Sequence, residues 1–300
     1  MFGNDLRAAL RILRKQKGYA AVSIFSLVVG MTCFILLTLF ARYELGYDSF
    51  HENADRVFLI GQVVPEWNVM GSNRACATSG PLGPTLEREF PQVERAVRTW
   101  PTEAPLAYDR KSVLARGLFA DRAFFEMFTF PLVLGDPGSA LAAPFSVVLT
   151  ESTAKRLFGR DEPIGRAVVH GGGREYRVTG IVKDPPGNSH LAFDYLLSFV
   201  TVGSLRNDLD TSWSILNYLN YVELREGVDP AAFEAGLQAV IRAHHPERDH
   251  KRTYFLMPLR NLRYATDVHI PYWRTAERAL IHLLMAVAGL ILAVACVNYV

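Results

Sequence analysis

The sequence has few cysteines and lacks the motifs that identify several classes of enzyme. Cys33 and Cys296 lie in strongly apolar runs and only Cys76 lies between these runs, which excludes an intrachain disulfide in the middle of the chain. The dipeptide Gly-Lys does not occur, so the 300 residues contain no Walker A phosphate-binding loop. No G-x-S-x-G nucleophile elbow is present either. The middle region must therefore be stabilised by its own core, and ATP hydrolysis would require another subunit or further sequence.

Two runs lack formal charge and are long enough to cross a bilayer. Residues 19–41 contain no Asp, Glu, Lys or Arg, and as a helix they would rise roughly 35 Å. This length exceeds the apolar core of a signal peptide, and no small-x-small cleavage site follows it. The run 279–300 also lacks charge, although it contains His282 and Asn298. The sequence predicts transmembrane helices at 18–41 and 279–300. Because the second run has no polar flank, we expect the protein to continue.

Positive charge is concentrated before the first apolar run. Residues 1–17 contain Arg7, Arg11, Arg14, Lys15 and Lys17 against a single Asp5. The positive-inside rule therefore predicts that this segment is cytoplasmic and that residues 42–278 lie on the opposite, extracytoplasmic side of the membrane. The spacing of its apolar residues predicts an amphipathic helix on the membrane surface, and a plain basic flank is the alternative. The net charge of +2 does not indicate a nucleic-acid partner.

Residues 42–278 alternate between strand-like and helix-like segments, which predicts an α+β fold. Strands are predicted at 57–64, 146–149, 175–183, 219–224 and 254–257. Thr150 is the predicted N-cap of a helix over 151–158 that ends at Gly159. Asp229 begins a second helix, whose apolar face would carry Phe233, Leu237, Val240 and Ile241.

Small residues lie four apart in both apolar runs. Ser26 and Gly30 form the first pair, and Gly289 and Ala293 form the second. This spacing allows another helix to approach closely in lipid, although small residues are common in transmembrane helices without such a contact.

Two segments could carry chemistry, but simpler explanations fit them better. Residues 170–173 (HGGG) have the letters of an esterase oxyanion loop, but without a nucleophile elbow they predict a hairpin connection. A histidine-rich segment could bind a divalent metal, but its spacing matches no metal motif and predicts a solvated loop at a helix end. Its possible ligands are His244, His245, Glu247, Asp249 and His250.

Residues 184–190 (DPPGNSH) predict a turn, because two prolines remove backbone donors and a glycine frees the backbone. Asn188 is expected to be an exposed position in this turn. Considered together, these segments contain no arrangement of nucleophile and base, so the sequence predicts no catalytic, cofactor-binding or metal-binding residues.

Several segments carry a resemblance to a known family. Residues 146–199 contain, in this order, LTES, AKRLFG, EPIG, YRVTGIVKD and PPGNSH. Other pieces are LRAALRILRKQKGYAAVSIFSLVVGMTCFILL at 6–37, YELGYDSFHENADRVF at 43–58 and FFEMFTFPLVLGDPGSAL at 124–141. Together they resemble the MacB/FtsX-like ABC transporter permeases over nearly the whole chain.

The resemblance implies a membrane protein of the bacterial inner membrane whose 42–278 region is a periplasmic core domain with a porter-like and an inserted subdomain. It implies a non-catalytic permease subunit in a lipid bilayer, paired with a second permease copy and an ABC ATPase subunit that binds ATP and Mg. A periplasmic or outer-membrane component is a further expected partner. In this family, mechanotransmission couples cytoplasmic ATP hydrolysis to movement of the periplasmic domain.

A sensor or chemoreceptor is the alternative to a transporter, because it has the same order of helix, outer domain and helix. Its second helix would lead into cytoplasmic heptads, whereas a permease would continue with hydrophobic spans. A membrane-anchored hydrolase is a third and weaker hypothesis. No residue indicates the cargo.

Overall fold

A computed structural model describes residues 17–66, 68, 71–270 and 272–298. The predicted basic helix at 1–17 lies outside the described residues, apart from Lys17. The elements in chain order are α1 (Lys17–Leu45), β1 (Val57–Val63), β2 (Arg74–Ala75), β3 (Thr78–Ser79), α2 (Leu82–Glu89), β4 (Val93–Tyr108), β5 (Lys111–Ala120), α3 (Phe124–Met127), β6 (Leu132–Leu134), β7 (Ser146–Thr150), α4 (Glu151–Phe158), β8 (Ala167–His170), β9 (Arg174–Val182), β10 (Tyr195–Ser198), α5 (Val200–Leu205), β11 (Leu216–Leu224), α6 (Pro230–His244), a 3₁₀ helix (Glu247–Asp249), β12 (Thr253–Pro258), a second 3₁₀ helix (Leu259–Tyr264) and α7 (Arg278–Val297).

The chain divides into two compact units. The helical unit contains the described residues up to Gly46 together with those from Glu277 onward, and the central unit is Tyr47–Ala276. Within the helical unit, Ala21–Leu45 and Arg278–Val297 are long and apolar enough to cross a membrane. The two predicted apolar helices are therefore present, and a mixed α/β unit lies between them in the sequence.

Within the helical unit, α1 and α7 approach each other at one of the two predicted pairs of small residues. A Cβ atom added at Gly30 would lie 2.5 Å from the Cβ of Ala295, so only glycine permits this approach. The Ser23 hydroxyl donates to the carbonyl of Asn298 at 3.2 Å nearby. At Gly289, a Cβ would meet no described atom within 4 Å. Gly30 makes the close approach that the spacing permits, and Gly289 makes no such contact in the described part of the chain.

One mixed sheet of twelve strands is the framework of the central unit. Its order is β12-β1-β11-β4-β5-β10-β7-β9-β6, with β2 beside β1, β3 beside β11, and β8 beside β4 and β9. Most neighbours are antiparallel, but β10 runs parallel to β5 and β7 runs parallel to β9. The α+β prediction is confirmed, whereas the division into porter-like and inserted subdomains stays a prediction.

The strands and helices predicted within the central unit all occur, and no strand end is shifted by more than three residues. The Thr150 hydroxyl accepts from the backbone N–H of Thr153 at 3.3 Å and caps α4, and Gly159 ends that helix with a φ of 68°. Asp229 caps α6 through a bond of 3.1 Å from the N–H of Ala231. The predicted apolar face of α6 is buried, and consists of Phe233, Leu237, Val240 and Ile241.

The hairpin of β4 and β5 is the largest feature that the sequence did not predict. Its register runs from Thr99 opposite Ala120 to Tyr108 opposite Lys111. Charged residues and prolines interrupt the alternation of apolar and polar residues in β4, so the sequence does not show the two-residue period typical of a strand. Arg95 is one of these residues, and its guanidinium is 2.5 Å from a buried carboxylate oxygen on the neighbouring strand β11.

Candidate functional site

Arg263 links the two ends of the central unit. Its guanidinium carbon lies 4.7 Å from the ring centroid of Tyr47, within the range of a cation–π contact. The same guanidinium donates to the carbonyl of Arg274 at 2.6 Å. The carbonyl of Arg263 accepts from the N–H of Ala276 at 2.7 Å. One residue therefore contacts both the segment that follows α1 in the sequence and the segment that precedes α7.

Asp48 attaches the first of these segments to the turn at 184–190. Its carboxylate oxygen Oδ1 accepts from the Ser189 hydroxyl at 3.1 Å and from the backbone N–H of His190 at 3.0 Å. The N–H of Asp48 donates to the carbonyl of Asn188 at 2.9 Å. Asp48 is fully buried and has a φ of 55°, a left-handed conformation that Asp and Asn tolerate better than most residues. Asp therefore suits this position both by its backbone conformation and by its side-chain acceptor.

His190 extends the contacts to a central strand and to the last segment of the unit. Its Nδ1 lies 2.9 Å from Oδ1 of Asp48, and its Nε2 shares a hydrogen bond of 3.0 Å with the Tyr221 hydroxyl on β11. The indole of Trp273 packs edge-on against the imidazole, with 5.1 Å between the ring centroids. The indole N–H of Trp273 donates to the carbonyl of Leu262 at 3.4 Å. We name the following residues the junction cluster: Asp48, His51, Ser189, His190, Tyr221, Arg263 and Trp273.

His51 supplies a neutral, fully buried imidazole to the junction cluster. Its Nδ1 accepts from the backbone N–H of Thr129 at 3.0 Å, so the ring proton of the neutral form is on Nε2. This nitrogen lies 3.9 Å from Oδ1 of Asp48. Burial lowers the pKa of His51 to about 4, although Asp48 raises the pKa and His190 lowers it further. His51 is therefore uncharged at neutral pH.

The combination of Ser189, His190 and Asp48 does not have the geometry of a catalytic triad. In a triad the histidine lies between the serine and the carboxylate, whereas here the Ser189 hydroxyl donates directly to Asp48. The same hydroxyl accepts from the N–H of Leu191 at 3.2 Å. All three side chains are buried. The arrangement fixes backbone segments to one another, and sequence reasoning missed it because its members are far apart in the chain.

The turn predicted at 184–190 is confirmed, and the junction cluster explains why it carries Ser189 and His190. The expectation that Asn188 is exposed is wrong. Asn188 is half-buried, because its carbonyl accepts the N–H of Asp48 at 2.9 Å and the following two residues contact the carboxylate. Lys183, which precedes the turn, is exposed.

The glycine-rich segment is a hairpin connection, as predicted. β8 and β9 pair from Ala167 opposite Arg177 to His170 opposite Arg174. Gly172 has a φ of 88° and Gly173 has a φ of 97°, which are conformations that favour glycine.

The histidines near the end of α6 each contact a different partner. His244 stacks on Trp213 with 4.9 Å between the centroids, and its Nε2 lies 3.2 Å from a carboxylate oxygen of Glu89. His245 Nε2 shares a bond of 2.8 Å with the Tyr254 hydroxyl. His250 Nε2 shares one of 3.0 Å with the carbonyl of His245. Across the residues that the structure describes, no group of three or more His, Cys, Asp or Glu could hold a metal ion.

Comparison with known proteins identifies the family of the chain. The profile of the MacB-like periplasmic core domain matches residues 20–240. A domain of a permease protein from Porphyromonas gingivalis is 22% identical with a TM-score of 0.60, and the match covers 78% of this chain and 99% of that one. The periplasmic region of MacB from Actinobacillus actinomycetemcomitans is 18% identical with a TM-score of 0.51, and the match covers 68% of this chain and 89% of that region. No curated protein matches the chain. The chain belongs to the MacB-like periplasmic core domain family, whose members are parts of ABC-type transporter permeases.

Proposed function

We propose that the chain is the permease subunit of an ABC transporter and that it couples ATP hydrolysis by a separate subunit to movement of the central unit. The observation that carries this proposal is the attachment of both ends of the central unit to one another. Tyr47 and Ala276 are covalently continuous with the segments that lead to α1 and α7, and both contact Arg263. A displacement of either helix would therefore reach these contacts, and from Asp48 it would reach the sheet through His190 and Tyr221 on β11.

The composition of the two apolar helices supports a mechanical role. The segments 18–41 and 279–298 contain no Asp, Glu, Lys or Arg, which are the residues that commonly mark a substrate or ion path inside a membrane. We infer that cargo does not pass between these helices and that they transmit movement. In this proposal the chain is non-catalytic, and the partner ATPase binds ATP and Mg.

We further propose a location in a bacterial inner membrane, with the N-terminus in the cytoplasm and residues 42–278 in the periplasm. A second permease copy, the lipid bilayer and a periplasmic or outer-membrane component are the proposed partners. The five basic residues before Gly18 support this orientation.

Recovery of an ATPase partner tests the coupling. The full-length protein carrying an affinity tag would be purified in mild detergent from its native membrane, and an unrelated tagged membrane protein of similar abundance would serve as the control. We expect an ABC ATPase to co-purify with this chain and not with the control. Recovery of a cytoplasmic signalling protein in place of any ATPase would contradict the proposal and favour a sensor.

Reaction with a membrane-impermeant thiol reagent tests the orientation. The natural cysteines would be replaced by serine, and single cysteines would be introduced by Lys183→Cys and Asn4→Cys. In cells with a permeabilised outer membrane, we expect the cysteine at 183 to react and the one at 4 to stay protected until lysis. The opposite pattern would reverse the proposed topology.

A further inference from the structure

A cleft of about 370 Å³ lies in the central unit, beside the hairpin of β8 and β9. This volume falls within the range of small-molecule sites. None of the residues that line it belongs to the junction cluster. The lining side chains on which the argument depends are Trp100, Phe119, His170, Arg174, Tyr176 and Leu205.

One part of the cleft is apolar and aromatic. The indole of Trp100 stacks on the ring of Phe119, with 5.6 Å between the centroids and 24° between the planes. Leu205, on α5, is 44% exposed. A stacked indole beside an exposed aliphatic side chain suits an apolar chain or a planar ring.

The cleft also contains polar side chains that can donate hydrogen bonds. Tyr176 is 1% exposed and lines the cleft, and its hydroxyl is a hydrogen-bond donor. Trp100 is half-buried and also lines the cleft, and its indole N–H is a second donor. Both groups can donate to an acceptor in the cleft.

A single unpaired cation determines the charge of this cleft. Arg174 is exposed and forms no ion pair with any residue that the structure describes. Its positive charge affects two other lining residues. Burial lowers the pKa of His170, and Arg174 lowers this pKa further. Burial raises the pKa of Tyr176, and Arg174 opposes this increase. By contrast, Arg206 at the margin is neutralised by Asp208, with two bonds of 3.2 Å.

We propose that this cleft binds an anionic amphiphile, meaning a molecule in which a carboxylate or a phosphate is attached to an apolar chain or ring. The anionic group would accept from Arg174 and from the Tyr176 hydroxyl, which are charge-assisted bonds. The apolar part would contact Trp100 and Leu205. This inference goes beyond the proposed coupling function and does not depend on it.

Calorimetric titration of the full-length protein in nanodiscs of zwitterionic lipid tests the inference, with empty nanodiscs as the blank. The probes would be hexyl phosphate, hexanoate, hexyltrimethylammonium and inorganic phosphate. We expect one or both anionic amphiphiles to bind, and their ratio identifies the preferred head group. The cationic amphiphile and inorganic phosphate should bind at least about tenfold more weakly, because each lacks one of the two required parts.

Two arginine variants identify the site. Arg174→Gln removes the unpaired cation. Arg177→Gln is the matched control, because Arg177 is exposed, carries an equal charge and lies on the same strand but on the opposite face of the sheet. We expect the first to weaken binding of the best anionic probe by about tenfold, as for loss of a charge-assisted bond, and the second to leave it unchanged. Equal effects of the two variants, equal binding of the cationic probe, or no binding of either anionic probe would overturn the proposal. Because no ATPase is present, this result is independent of the coupling test.

Discussion

Substitution of Asp48 is the most informative perturbation, because this residue connects the segment after α1 to the turn at 184–190. Asp48→Ala removes the acceptor for the Ser189 hydroxyl and for the His190 N–H, at 3.1 and 3.0 Å, and the charge beside His190 Nδ1 at 2.9 Å. All these groups are buried. The variant therefore leaves several buried donors without acceptors.

The expected loss of stability follows from these contacts. Each buried donor left without an acceptor costs about 1–3 kcal/mol, so the Ser189 hydroxyl and the His190 N–H together should cost about 2–6 kcal/mol. The left-handed backbone at Asp48, with its φ of 55°, disfavours alanine by about 1 kcal/mol more. Asp48→Asn is the matched control, because asparagine tolerates this conformation and retains one carbonyl acceptor. We expect the control to lose about 1–2 kcal/mol.

Amide hydrogen exchange of the full-length protein measures this effect locally. In Asp48→Ala, the peptide that covers 184–191 should lose protection, together with the segment around Trp273. In Asp48→Asn, most of the protection should remain. Equal protection in the alanine variant and the natural protein would show that the carboxylate does not hold these segments together. An equal loss in both variants would assign the effect to charge alone and refute the backbone argument.

Three further predictions concern separate parts of the chain. Thr150→Ala removes the N-cap of α4 and should lower the free energy of unfolding by about 1 kcal/mol, whereas Thr150→Ser should retain it in the same urea titration. The pKa of His51 is about 4 in the folded protein and 6.5 in the unfolded chain. As the pH falls, the unfolded state therefore binds the proton first, and the free energy of unfolding should fall by up to about 3 kcal/mol between pH 6.5 and 4. His51→Asn cannot titrate and should reduce this pH dependence, and an unchanged pH profile in this variant would contradict the assignment. Gly30→Leu should separate α1 from α7 and lower the thermal midpoint in detergent, while Gly289→Leu should not, because Gly30 alone of the two faces Ala295.

The elements that the sequence predicted are those whose signals are local. Thr150 and Asp229 cap their helices within three residues, and glycine ends α4 through its own backbone conformation. Four of the five predicted strands are short apolar runs with at most one charged residue, and the strand at 175–183 begins with alternating polar and apolar residues. The apolar helices depend only on composition over about twenty residues. Each of these signals can be read from a single window of the sequence.

The parts that the sequence did not predict depend on partners far away in the chain. The charged residues of β4 argue against a strand in the sequence alone. In the structure, Arg95 pairs with Glu223 on β11, and these two residues are 128 positions apart. The junction cluster joins Asp48 to His190 across 142 positions. Contacts between residues so far apart produce no periodic pattern in the sequence. The segment 184–190 could therefore be predicted as a turn but not as an attachment site. The family resemblance placed the segments in one domain without giving this contact.

Distance measurement between two labelled copies of the permease tests the proposed coupling most directly. Nitroxide labels would be attached at Lys183→Cys in the full-length protein with its ATPase, reconstituted in nanodiscs after replacement of the natural cysteines. We expect the distance between the labels to differ between the nucleotide-free and ATP-bound states. In Asp48→Ala, we expect ATP hydrolysis to be retained and the distance to stay the same in both states. An unchanged distance in the intact protein during ATP binding and hydrolysis would contradict it.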